Sequence, residues 1–116
     1  MDKMQETFAD RFKPWGIELP DPVPERGEIA QGGWIIKYIL VPDEQGQPCL
    51  EFVANHRMTN QRHERILSSG ERVSLPEFQE GYGYDPNIPG DREAAEARMR
   101  AHNQALMKDL ISKGLL

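Results

Sequence analysis

Residues 34–57 read WIIKYILVPDEQGQPCLEFVANHR, and the fold turns on them. From Trp34 to Val41 the chain is almost wholly apolar, aromatic or β-branched, which is the composition of a strand. The polar run Asp43-Glu44-Gln45-Gly46-Gln47 is turn chemistry, and a second strand begins at Cys49. A three-residue loop of Glu44, Gln45 and a left-handed Gly46 sets Leu40 opposite Leu50 and Tyr38 opposite Phe52. The same register sets Ile36 opposite Ala54 and Trp34 opposite His56, so every large partner shares one face.

Working outward, Ser69-Gly70 reads as a two-residue turn that places Ile66 opposite Val73 and Glu64 opposite Leu75. A loop at Thr59-Asn60-Gln61 places Ala54 opposite Ile66 and His56 opposite Glu64. The three turns agree on one core face of Trp34, Ile36, Tyr38, Leu40, Leu50, Phe52, Ala54, Ile66, Val73 and Leu75. That agreement has content because a slip of one residue sends a strand's apolar set to the other side. The reverse face mixes Ile35, Ile39, Val41, Val53 and Leu67 with Lys37, Asn55, Arg57, His63, Arg65 and Arg72. It is too apolar to be simply wet, so either the terminal helices or connector cover it, or it meets a second copy of the chain.

On the N-terminal side Met4, Phe8, Phe12 and Trp15 recur at helical spacing, and Pro14 stops the helix. Residues 16–33 carry Pro20, Pro22, Pro24 and four glycines, and read as an extended connector. On the C-terminal side residues 76–90 form an irregular loop holding Phe78, Tyr82 and Tyr84. Asp91 is then the expected N-cap of a helix reaching Lys113, with Gly114 as its stop. Its stripe is Ala95, Met99, His102, Leu106 and Leu110. The expected fold is α+β: a four-stranded antiparallel β-meander (about 33–42, 49–58, 62–68, 71–75), an N-terminal helix (2–13) and a long C-terminal helix (91–113). At 116 residues one core suffices, so residues 1–116 read as a single domain.

The net charge of -5 disfavours nonspecific attraction to nucleic acid or anionic lipid. A lone cysteine, Cys49, excludes an intrachain disulfide and a Cys-based zinc site. With that thiol, and with no continuous apolar stretch in Met1–Lys13, a cytoplasmic location without a membrane span is expected. The chain contains no P-loop, dinucleotide fingerprint, HExxH, CxxC or nucleophile elbow, and no cofactor or metal is expected.

Three weaker constellations remain. His56 facing Glu64 beside Trp34 is a candidate acid–base pair, with a hydrogen-bonded pair that finishes the sheet as the plainer reading. Asn55, Arg57, His63, Arg65 and Arg72 form a basic cluster suited to a phosphate or carboxylate, although the interleaved glutamates can simply neutralise it. Phe78, Tyr82 and Tyr84 can present rigid aromatic area to a partner or fold back on the sheet. The leading expectation is a noncatalytic protein-interaction or ligand-binding module acting as a homodimer through the mixed face. The alternatives are a small enzyme using His56 and Glu64 on an anionic substrate, and a phosphate or nucleic-acid binder using Arg57, Arg65 and Arg72.

Overall fold

A computed structural model of the chain describes residues 3–57 and 61–116, with side chains from Thr7 onward. In chain order it contains α1 (Lys3–Phe12), a 3-10 turn (Lys13–Trp15), β1 (Arg26–Gln31) and β2 (Trp34–Pro42). These are followed by β3 (Pro48–His56), β4 (Gln61–Ile66), β5 (Arg72–Ser74) and α2 (Asp91–Ser112). The architecture is α+β, with the strands forming one antiparallel sheet in the order β1-β2-β3-β4-β5. Among the described residues no helix is long and apolar enough to cross a membrane.

The sheet has five strands where four were expected, and the extra one, β1, lies in the presumed connector. The prolines end at Pro24, and Gly32 and Gly33, at φ 59° and 84°, close a two-residue hairpin that sets Gln31 opposite Trp34. Positive φ at both loop residues is the geometry that matches strand twist, and two glycines adopt it without strain. Gly27, which argued against a strand, faces Tyr38, and a Cβ there would collide with the Tyr38 hydroxyl. The missing side chain is what lets the tyrosine ring lie across β1.

The central hairpin has the expected register, with Trp34 opposite His56, Tyr38 opposite Phe52 and Leu40 opposite Leu50. Gly46 is left-handed at φ 79°, and Asp43 and Gln47 close the loop through a 2.8 Å backbone bond. The outer two registers differ from expectation. Leu50 faces Ile66 and Ala54 faces Arg62, four residues from the expected pairing, so the sides are preserved. Of the expected loop, Thr59 and Asn60 lie outside the described residues, and Gln61 is the first residue of β4. At the last turn the loop has three residues, not two: Leu67 N–H donates to the Glu71 carbonyl, and Gly70 takes φ 89°. Glu64 therefore faces Ser74, and Ile66 faces Arg72. That single-residue slip removes Val73 and Leu75 from the core face and puts Arg72 there instead.

The first core gathers Ile36, Tyr38, Leu50, Phe52, Ala54 and Ile66 under Phe8 and Phe12 of α1 and Ile17 and Val23 of the connector. Of the other two residues in the expected stripe, Trp15 packs against this core partly buried and Met4 has its side chain outside the described residues. The second core lies on the reverse face, where Ile39 and Val53 meet Leu106, Leu110 and Leu115, flanked by Val41 and Phe78. The mixed face is thus covered in large part from within the chain. Asp91 is the first residue of α2 and not its cap: Gly90 occupies the cap, and Asp91 Oδ2 accepts from Asp85 N–H. Overall the molecule measures 60 × 34 × 22 Å, and the segment 77–79 is tied to the 22-residue α2 at His102 and Asn103.

Candidate functional site

The densest polar arrangement lies between the reverse face and the end of α2, and its centre is Glu51. Alternation along β3 turns Glu51 to the same side as Cys49 and Val53, and the register sets Arg65 directly opposite it. Glu51 is wholly buried, because α2 crosses above it. Its Oε1 accepts from Arg65 Nε at 2.7 Å, and its Oε2 accepts from Lys113 Nζ at 2.8 Å and His63 Nε2 at 3.0 Å. Lys113 also bonds Asp109 one turn back, at 2.8 Å, which holds its ammonium over the carboxylate.

Burial on its own pushes the Glu51 carboxyl up, but hydrogen bonds from His63, Lys113 and Arg65 outweigh it and hold the group down at about 2. His63 feels the same contest in reverse. Burial pulls its imidazole down, while the bonds to Glu51 and to the Pro76 carbonyl raise it above the ordinary histidine value. Both ring nitrogens face acceptors, Nε2 on Glu51 and Nδ1 on Pro76 O at 2.8 Å. Only the doubly protonated ring donates at both positions, so the geometry describes an imidazolium. A carboxylate with three charged donors has no spare basicity, so the cluster is a clamp between β3, β4, α2 and the segment after β5, not a proton-transfer pair.

Beside the clamp is a mostly apolar cleft of about 280 Å³ lined by His63, Pro76, His102, Ala105, Leu106 and Asp109. Pro76 forms one wall, and the chain just after it is tied to α2 by His102 Nε2 on the Glu77 carbonyl at 2.7 Å. The Asn103 amide bonds both the N–H and the C=O of Gln79 at 2.9 Å, as a neighbouring strand would. Among the described residues no group of His, Cys, Asp and Glu side chains is arranged to hold a metal ion.

The residues singled out from sequence are dispersed. His56 packs edge-on against Trp34, at 4.9 Å between ring centroids. Glu64 takes the Arg72 guanidinium through two bonds of 3.0 and 2.8 Å. The register separates His56 from Glu64 by four residues, so the expected acid–base pair is not brought together. Arg72 lies over the Trp15 ring at 4.9 Å, with Arg62 at 5.1 Å, and Trp15 in turn stacks on Trp34 at 4.7 Å. Arg65 and His63 serve Glu51 on the reverse face, while Asn55 and Arg57 are exposed at the sheet's end. The basic cluster therefore does not converge. Of the three aromatics, Phe78 packs into the second core, Tyr82 is half-buried and Tyr84 is 44% exposed beside Arg92.

Glu51 was not singled out from sequence, although one signal was there: a carboxylate inside the run Leu50-Glu51-Phe52-Val53, on a strand buried on both faces. Its partners require the β3–β4 register and the placement of Lys113, 62 residues away, which spacing alone does not give. Compared with family models, with curated proteins and with solved structures, the chain finds no match.

Proposed function

We propose that the chain is a noncatalytic protein-interaction module that acts as a homodimer. The observation that carries the reading is the set of large apolar side chains left exposed, some of them at the margin of the reverse face beside β1. Tyr84, Ile88, Met107, Ile111 and Leu116 are each 44–57% exposed, and only Ile35 and Val73 join them among the exposed large hydrophobics of the described residues. Ile35, opposite Ala30 of β1, and Leu116, two residues past the glycine that lies against Arg26, border the open edge of the sheet, and exposed apolar side chains grouped there mark a contact site. The covering of Ile39, Val41 and Val53 by α2 and Phe78 moves any self-contact off the middle of the mixed face, toward its margins. The acid–base alternative draws no support from the geometry, since His56 and Glu64 are apart and Glu51 is saturated. Sedimentation velocity tests the reading: a dimer is expected at tens of micromolar, and a monomer throughout that range overturns it.

A further inference from the structure

The two edges of the sheet are unlike. β5 has three residues and runs straight into Pro76, the usual way of blunting an edge. β1 has six residues, with no proline or bulge within it. Leu40 N–H donates to the Glu25 carbonyl at 2.7 Å, which makes that pair hydrogen-bonded. Alternation along an antiparallel ladder then turns the N–H and C=O of Gly27, Ile29 and Gln31 toward β2, and those of Arg26, Glu28 and Ala30 outward. Among the described residues the connector leaves this edge open: Ile17 and Val23 are buried in the α1-side core, and Glu18 N–H goes to the Gln31 side chain, not to the strand backbone.

We propose that two copies of the chain join edge to edge through β1, antiparallel about a two-fold axis at Gly27, into a continuous ten-stranded sheet. The proposal rests on the homodimer reading and says where the copies meet. The occupant is a second copy because the strand complements itself. With Gly27 opposite Gly27, each exposed Arg26 stands opposite the partner copy's equivalent of Glu28, and the outward N–H and C=O groups of both positions face one another. This gives two cross-strand ion pairs on one face, with no side chain at the axis to keep the strands apart. The same face continues the seam. Gly114 lies against the Arg26 guanidinium, which brings the exposed Leu116 alongside β1, and the half-exposed Ile35 sits one strand in, opposite Ala30.

The test is a charge swap read by sedimentation equilibrium on the full chain, with amide exchange at β1 as a second readout. Arg26→Glu and Glu28→Arg each set like charges opposite each other twice, and each is expected to weaken the dimer by about tenfold. The double variant R26E/E28R restores opposite charges in the reverse sense and is expected to regain the wild-type affinity. Exchange at the Arg26 and Glu28 amides is expected to slow as the protein is concentrated through the dimer range. If the wild type dimerises while the swaps and these amides show no effect, the interface lies elsewhere, and the proposal falls while the homodimer stands. A dimer dissolved by Ile111→Glu alone places the contact on α2, with the same consequence. A wild-type monomer overturns both.

Discussion

Glu51 shows how one side chain in a strand acquires a role from its surroundings. Its stabilising contribution has a definite sign with pH. Its folded value, about 2, lies below the ordinary 4.5, so the contribution is fully present above 4.5 and is lost as pH falls toward 2. His63 is raised from 6.5, so its contribution is complete below 6.5 and is lost as pH climbs through the raised folded value. The two together make the contribution of this pair greatest between about 4.5 and 6.5. Glu51→Gln leaves a buried imidazolium and two cations without their anion, and by urea denaturation near pH 6 it is expected to cost about 3 kcal/mol. Much of the wild type's acid-side slope should vanish with it. A variant as stable as the wild type, with the slope intact, would show that the clamp does not hold the fold.

At the scale of elements, the hairpins separate what short-range chemistry specifies from what it leaves open. Gly46 and Gly70 close the same kind of three-residue loop, yet Ser69-Gly70 also fits a two-residue turn. Nothing within the loop itself chooses between the two readings. The observed register is the one in which Arg72 reaches Glu64 and the Trp15 ring. The four-residue offset between β3 and β4 was equally invisible, and it did less harm because an even shift preserves sides. The packing makes a quantitative claim about the two faces. Phe52 is fully buried in the larger core, between Phe12 and Trp15, so Phe52→Ala should cost about 3–5 kcal/mol. Leu110→Ala, in the smaller cluster, should cost about 2–3 kcal/mol and should raise amide exchange in α2 more than in β2 or β3. Equal exchange increases across α2 and the sheet would mean that the helix is no separate unit.

At the scale of the molecule, α2 is held to the sheet by a small apolar cluster and one ion cluster, whereas α1 is held by the main core. Acid removes the ionic part of that attachment first. As pH is lowered from 5 toward 3, protection of α2 amides is expected to fall before that of β2 and β3, in exchange measured by mass spectrometry. Simultaneous loss would make the two layers one cooperative unit.

The sequence by itself determined the strand-rich middle, the central hairpin with its register, both helices and the side of the sheet on which each β2 and β3 residue falls. Those features are local, since alternation, helical period and one glycine-closed turn suffice for them. β1 was locally readable too, through Gly32-Gly33 beside a strand, but the three prolines and Gly27 concealed it. Only the tertiary structure decided that Glu51, His63, Arg65 and Lys113 meet, that Arg72 changes face and that His56 and Glu64 do not pair. Each of these depends on strand offsets and on a helix docking from 62 residues away, and those are settled by the energy of the assembled layers, not by neighbours in the chain.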